Sequence, residues 1–440
     1  MANKSQPGSK AINRSDISAD RTSRRAATYD KKDFRLVYIT VSMPFGPHES
    51  FFIPEVKELM RQGCEVRIIP RSPCGKLVNG DAAGLEEISI RRPLLFSAEI
   101  LRSFLSELVQ RPVPVLKALA LLFQSRSFPV LMKNIAVFPK GIWVAKLARK
   151  WRADHIHSQW ISTTATIALV ASEITGIPWS CSAHRGDIAD NNMLATKLSR
   201  ARFIRFISES GIEIVRGFVT NWNRSRAKVI RMGIDIPPGT AEGREASGIV
   251  RILCPGNLNA VKGHKYLLEA MAILRDRTVP CFLDIAGDGP LRKKLATIAR
   301  DLSIEHMVRF MGHLYHDDLL DLYRKRNVDI VVLPSVNLGR NEHEGVPVAL
   351  IEAMGHCVPV VSTSTGGIPE LLCDGSGIIV PPMDPVALAD AMERLASDPG
   401  LRAEYARLGR NRVEKEFAIG LVVKDLKACM DREDDSMRFQ

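Results

Sequence analysis

At 440 residues the chain is too long for one ordinary domain and long enough for two or three that each bury a core. A composition 45% hydrophobic and 25% charged excludes wholesale disorder, a collagen-like repeat and a small disulfide scaffold. With 61 Lys and Arg against 49 Asp and Glu the formal net charge is +12, which points to an anionic partner: nucleic acid, an anionic membrane surface or a phosphorylated ligand.

In chain order, residues 1–32 hold eight basic and three acidic side chains, are Ser-rich and show no apolar periodicity. They read as a disordered basic tail, without the apolar stretch of a secretory signal. Phe34 to Ile39 reads as a strand ending in the turn-rich Met43–Pro44–Phe45–Gly46–Pro47, followed by a helix over Phe52 to Gln62 and a strand over Glu65 to Pro70. Residues 91–152 then carry twelve basic side chains against Glu99 and Glu107 alone, among Leu- and Phe-rich helical runs. No run reaches the roughly 18 uncharged residues of a spanning helix. Basic helices with apolar faces suit an anionic membrane interface, and the alternative is core-packing helices with a solvated basic face. Nucleic acid is not expected, because no zinc spacing, RNA-binding aromatic motif or basic zipper is present. The eight cysteines are scattered without a C-x-x-C pair, so reduced thiols are expected rather than a disulfide framework or a metal site.

Strands follow at His155 to His157, Trp179 to Ala183, Arg202 to Ile207 and Lys228 to Ile230, with a helix over Thr163 to Thr175. The pattern breaks at a polar, Gly-rich stretch and restarts at Val250. Strands at 250–254, 281–285, 308–311, 329–333, 358–362 and 377–380 then alternate with helices at 265–275, 291–302, 317–325, 347–354 and 385–397. Such alternation predicts α/β architecture: two doubly wound parallel sheets, one over 33–236 and one over 249–415, around a linker at 237–248. Ligands of such sheets bind at the carboxyl ends of the strands, so two facing domains make one cleft.

Four constellations in the second half sit at strand-to-helix turns. In Pro255–Gly256–Asn257–Leu258–Asn259–Ala260–Val261–Lys262–Gly263, glycines let the backbone approach an anion and Lys262 supplies a cation. Gly287–Asp288–Gly289–Pro290 reads as a structural turn. The most informative is Glu344–Gly345–Val346–Pro347 leading to Glu352. Pro347 suits the first position of a helix, so Gly345 and Val346 would offer N–H groups at its positive end. Glu352 would lie roughly 7 Å further along the axis, where a carboxylate can accept both hydroxyls of a ribose. Ser364–Thr365–Gly366–Gly367 would shape the same cleft. From the first half, His157, Trp160, His184, Arg185 and Asp187 follow strand ends and are candidates for ligand contact.

These residues together resemble glycosyltransferase family 4, retaining nucleotide-sugar enzymes of the GT-B fold, over roughly residues 34–428. The most specific part is Glu344 to Glu352 inside E-G-V-P-V-A-L-I-E-A-M, followed by P-V-V-S-T-S-T-G-G-I-P-E-L. G-N-L-N-A-V-K-G-H, A-G-D-G-P and V-R-F-M-G-H accompany it. M-P-F-G-P-H-E-S-F-F-I-P-E, H-I-H-S-Q-W and S-A-H-R-G-D-I resemble the bacterial exopolysaccharide and capsule branch. The resemblance implies that Lys262, with the helix start near Gly345, Val346 and Pro347, binds the donor diphosphate. Gly46, Gly256 and Asn257 border it and Gly312 lies toward the base. Glu352 would hold the ribose, and Glu344 and His184 would face the donor sugar. His157, Arg185 and Asp187 fall on the acceptor side. No metal or other cofactor is expected. The implied partners are a nucleotide sugar, a saccharide or lipid-linked saccharide acceptor and an anionic membrane surface. The implied location is cytoplasmic, peripheral on the inner face of the cell membrane. A final helix within 416–440 would return to the first domain.

Family members usually carry arginine where this chain has Asn257, so one positive charge is missing; Arg340 and His343 are candidate replacements. The competing readings are a nucleotide-sugar epimerase or hydrolase of the same fold, and a non-catalytic nucleotide-binding partner subunit. An NAD-dependent dehydrogenase is disfavoured, because G-x-G-x-x-G with its downstream acid is missing.

Overall fold

The computed structural model describes residues 34–75, 77, 82, 84–93, 97–238, 248–339 and 342–431. The expected basic tail, most of the expected linker (239–247), Leu94 to Phe96, Arg340 and the last nine residues lie outside the described residues.

The first unit runs β1 (Phe34–Thr40), α1 (Ile53–Arg61), β2 (Cys64–Pro70), α2 (Ala98–Gln110), α3 (Pro112–Leu122), α4 (Phe128–Trp151), β3 (His155–Gln159), α5 (Thr163–Thr175), β4 (Trp179–Ala183), α6 (Arg185–Ala189), α7 (Leu194–Arg200), β5 (Phe203–Phe206), α8 (Glu209–Arg216) and β6 (Ala227–Val229). The second runs β7 (Val250–Pro255), α9 (His264–Asp276), β8 (Cys281–Ala286), α10 (Arg292–Asp301), β9 (Val308–Gly312), α11 (His316–Arg324), β10 (Ile330–Leu333), α12 (Val348–Gly355), β11 (Val360–Thr363), α13 (Ile368–Leu371), β12 (Ile378–Val380), α14 (Pro385–Ser397) and α15 (Pro399–Glu416). The chain closes with α16 (Ile419–Asp431).

Each unit is a six-stranded parallel sheet, in the orders β2-β1-β3-β4-β5-β6 and β12-β11-β10-β7-β8-β9. β3, β4, β5 and β10 are buried along their whole length, as strands covered on both faces must be. The strand order reverses between β1 and β3 in the first sheet and between β7 and β10 in the second. Loops diverge at those switch points and leave a crevice at the carboxyl ends.

The two units are tied by backbone. Ile234 donates to the carbonyl of Phe417 at 2.8 Å, and Ile419 donates back to Ile234 at 2.9 Å, so the outgoing and returning chains cross side by side. α16 then buries Ile419, Val422, Val423, Leu426 and Met430 against α1, β1 and β2 of the first unit. α15 had no sequence reading: its buried positions are Ala406, Gly409 and Val413, too small to mark an apolar stripe on an otherwise polar helix.

The basic segment 91–152 divides. Lys140 is fully buried and donates to the carbonyls of Pro70, Arg71 and Arg92, while Arg149 pairs with the buried Glu107. Arg102, Arg111, Lys117, Arg126 and Lys133 are exposed. So are Leu101, Leu105, Val109, Val113, Leu116, Phe123, Phe128 and Met132. No described helix is long and apolar enough to cross a membrane.

Candidate active site

The second sheet's switch point brings the loop after β7 against the loop after β10. Gly263 holds φ +66°, and a Cβ there would sit 2.0 Å from the carbonyl oxygen of Pro334, so only glycine lets the two loops close. The closure places the Lys262 ammonium 2.6 Å from Glu344 Oε2, with both side chains largely buried. A third loop, after β11, backs this pair. A Cβ on Gly366, at φ +57°, would lie 1.8 Å from the Glu344 carbonyl oxygen, and Gly367 donates to the carbonyl of Gly345 at 3.1 Å. The Ser364 to Gly367 turn therefore fixes where Glu344 stands.

Pro347 is the N-cap of α12 rather than its first helical residue, with φ −75° and ψ 116°. This corrects the expected helix start: the first-turn residues at the cleft are Val348 and Ala349, and Gly345 and Val346 belong to the loop ahead of them. Proline fits the cap because it has no N–H that would lack a partner there. Glu352 is buried, and its Oε1 lies 2.7 Å from Nε2 of His316, the first residue of α11. His316 carried no sequence reading, because a lone histidine opening a helix has no periodic signal.

The opposite wall comes from the first unit. His184 follows β4, is buried, and packs against Trp160 with ring centres 4.3 Å apart and planes tilted by 38°. Its Nε2 has no hydrogen-bond partner among the described residues, and burial pushes its pKa down to about 3, so the ring is neutral. Asp187 spends its carboxylate on backbone: Oδ1 accepts from the His184 N–H at 2.7 Å and Oδ2 from Ile161 N–H at 2.5 Å. It positions His184 rather than facing an acceptor, which corrects its acceptor-side placement. Burial raises its pKa to about 7 against those hydrogen bonds. Arg185 is half-buried, and its buried Nη1 has no hydrogen-bond partner among the described residues. Burial lowers its pKa, and Glu344 and Glu342 across the cleft oppose that shift.

His184, Arg185, Asn257, Lys262, Glu344 and Pro347 all border one cavity of about 510 Å³ between the units, together with Gly256, Gly345, Val346 and His343. Glu352 and His316 open into an adjoining cavity of about 570 Å³ that reaches Pro237 and Pro238 at the crossover. Besides Asp187 and Trp160, three further expected residues do not line the cleft. His157 is wholly buried within the sheet, its ring nitrogens 2.8 and 3.0 Å from the hydroxyls of Ser180 and Ser182; an inward-pointing strand position put it there. Gly46 holds a left-handed turn whose Cβ would meet the Cys74 carbonyl, and Phe51 lines the cleft from that region instead. The Gly312 carbonyl accepts from Gly287 at 2.8 Å, and the next residues, His313 and Leu314, reach the cleft.

Glu49 was also not read from the sequence. It is buried and accepts from the backbone N–H groups of Val41, Ser42 and Met43 and from the Trp160 indole, so it joins the loops after β1 and β3 at the first sheet's switch point. Among the described residues no three His, Cys, Asp or Glu side chains converge as a metal site.

A family described as glycosyl transferases group 1 matches residues 242–412. The D-inositol 3-phosphate glycosyltransferase of Corynebacterium jeikeium is 30% identical over 290 residues, covering 58% of this chain and 67% of that one. The chain belongs to the group 1 glycosyltransferases. A second relative, the putative colanic acid biosynthesis glycosyltransferase WcaL of Escherichia coli K12, is 30% identical over 210 residues, 47% of this chain. That match spans about half of the relative, 51% of its length. Among solved structures, Anabaena HepE in complex with UDP-glucose superposes with TM-score 0.63 over 90% of this chain and 98% of that one, at 16% identity. The two-sheet GT-B architecture of this group 1 member is thus shared well beyond sequence similarity.

Proposed function

We propose that the protein transfers a sugar from a nucleoside diphosphate sugar to a saccharide or lipid-linked saccharide acceptor in bacterial exopolysaccharide synthesis, with retention and without a metal. The observation that carries this reading is the Lys262–Glu344 pair at the second sheet's switch point, facing a neutral His184 and Arg185 across one cavity. In this reading the donor diphosphate lies against Lys262, Arg185 and the start of α12, and the ribose lies by Glu352 and His316. The sugar sits between Glu344 and His184. The bond from the anomeric carbon to the diphosphate oxygen breaks, and its electron pair leaves with the diphosphate. The acceptor oxygen forms the new bond on the same face, and its proton passes to the leaving phosphate. Cations and N–H dipoles aimed at the diphosphate stabilise that departing charge. The fold shared with a UDP-glucose complex and the kinship with WcaL support the donor class and the pathway class.

The exposed stripe Leu101, Leu105 and Val109 on α2, beside Arg102, Arg111 and Lys117, supports a peripheral position on an anionic membrane. A screen of nucleotide sugars by thermal shift tests the donor, since ligand at a hundred times Kd adds about 2.7 kcal/mol of stability. Transfer to an acceptor is the expected product. Free sugar or epimer would make the protein a hydrolase or epimerase. Nucleotide binding without turnover would make it a non-catalytic subunit, and no stabilisation by any nucleotide sugar would sink the reading.

A further inference from the structure

Apart from the interdomain cleft, a cavity of about 540 Å³ opens at the carboxyl edge of the first sheet, between α4 and the start of α5. Arg71 enters it from the end of β2, and Arg126 and Lys133 from the turn before α4 and its first turns. Ser162 and Thr163, at the start of α5, and Asn192, between α6 and α7, add polar groups. Its one acidic neighbour is the exposed Asp190, so cations outnumber acids three to one. The Arg71 guanidinium donates to hydroxyls, Thr163 Oγ1 at 2.7 Å and Ser72 Oγ at 3.3 Å, and the acid it senses at longer range is Glu49. Arg126 and Lys133 pair with no acid among the described residues.

The walls are held from behind by two buried lysines. Lys197 Nζ donates to the carbonyls of Ile161, Ser162 and Asn192 at 2.9, 2.7 and 2.7 Å. Lys140 Nζ donates to the carbonyls of Pro70 and Arg71 at 2.6 and 2.8 Å. Asn134, buried in α4, donates to Asn192 Oδ1 at 2.9 Å and accepts from Thr166 Oγ1 at 2.9 Å. The loops that carry Arg71, Ser162 and Asn192 are therefore fixed in place, and the ammonium groups fixing them add positive potential. Burial lowers both lysine pKa values to about 7, with Arg71 adding to the shift of Lys140, and an anion nearby would favour their charged forms. The exposed Phe123, Phe128 and Met132 flank Arg126 and Lys133 along the chain.

We propose that this cavity is an anion subsite that takes the phosphate or diphosphate ester of the acceptor, so that acceptor and donor phosphates are held by separate sets of cations. The assignment rests on the glycosyltransferase reading above. It adds that the acceptor is phosphorylated, either a lipid diphosphate-linked saccharide or a free sugar phosphate.

Calorimetric titration of inorganic pyrophosphate tests it, using the full chain with Lys262→Ala so that the donor side is disabled. Saturable binding that weakens with added salt is expected. Adding Arg126→Ala and Lys133→Ala should weaken it about tenfold or more, the scale of losing one charged hydrogen bond. Both residues are exposed, so the melting temperature should hold, and Lys133→Glu alone should weaken binding as well. No saturable binding up to tens of millimolar, or equal binding by all variants, would overturn the subsite. Farnesyl diphosphate in detergent micelles separates the two sources. Tighter binding than pyrophosphate that Phe128→Ser relieves assigns a lipid-linked acceptor, and equal binding assigns a free phosphorylated one. Nucleotide-sugar binding by the wild-type chain is a separate readout. Its absence would remove the glycosyltransferase reading whatever the pyrophosphate result, and its persistence in the Arg126→Ala/Lys133→Ala chain is expected here.

Discussion

Lys262 and Glu344 neutralise one another across 2.6 Å, so a diphosphate must compete with Glu344 for the ammonium. Two opposite expectations follow from that competition. Lys262→Ala should lower kcat/KM for a nucleotide sugar by about tenfold or more, the scale of one charged contact to a developing oxyanion. Glu344→Gln should free Lys262 and tighten nucleoside diphosphate binding while transfer falls, and equal affinity would show that the pair does not gate the phosphate site. Arg185 addresses the missing charge at Asn257. Its guanidinium enters the same cavity as Lys262 from the facing unit, with a buried nitrogen that has no hydrogen-bond partner among the described residues. Arg185→Ala should weaken nucleoside diphosphate binding about tenfold, and Asn257→Arg on that background should restore most of it. Failure of the rescue would place Arg185 with the acceptor instead. Lys262, Glu344 and Glu352 were legible because the turns and the helix that carry them form a recognisable motif. His316 and Glu49 were not: His316 meets Glu352 from another helix, and Glu49 ties loop N–H groups to the Trp160 indole of a distant strand end, so neither pairing shows as a local pattern.

Elements turn those residues into a site. The Gly366 loop stands behind the Glu344 carbonyl, and that contact leaves no room for a side chain. Gly366→Ala should cost about 1–3 kcal/mol through the strained left-handed backbone and the clash, and should displace Glu344. Denaturant midpoints together with turnover would check this: lost stability with intact turnover would mean the loop supports the fold and not the carboxylate. On α2, the Leu101, Leu105 and Val109 stripe is exposed, so Leu105→Glu with Val109→Glu should leave the melting temperature nearly unchanged and abolish sedimentation with anionic liposomes. Wild-type protein that fails to sediment at any salt would make these helices plain packing elements. The sequence displayed the charge run but not its division, because whether a lysine sits on the outer face or, like Lys140, reaches inward to loop carbonyls depends on which way α4 is turned against the sheet.

For the whole molecule, four buried histidines set an acid limit. Burial holds His184 near 3 and His264 near 4, and pushes His155 and His157 well below the ordinary value. Each is neutral in the folded chain and takes a proton in the unfolded one below about pH 6.5. The unfolded state therefore binds more protons, and stability must fall as pH drops through that window. At pH 5 each histidine costs about 2 kcal/mol relative to pH 7.5. Asp187, raised to about 7, works the other way between its unfolded value and 7, and offsets about one of them. Urea midpoints should accordingly drop sharply between pH 7.5 and 5, and a flat profile would mean these rings are hydrated or protonated in the folded state.

The sequence by itself determined the two α/β units, nearly every strand, and the carboxylate, lysine and glycine turns of the second unit. Local hydrophobic period and turn chemistry are written residue by residue. Its inference that the +12 charge was concentrated in particular segments also came from counting alone. Tertiary structure alone decided that His157 belongs to the sheet and that Asp187 serves the backbone of His184. It also decided that Arg185 shares a cavity with Lys262, and that Arg71, Arg126 and Lys133 line another. Those facts depend on which strands become neighbours and how their loops diverge at the switch points. Long-range packing sets these, and no local spacing encodes them.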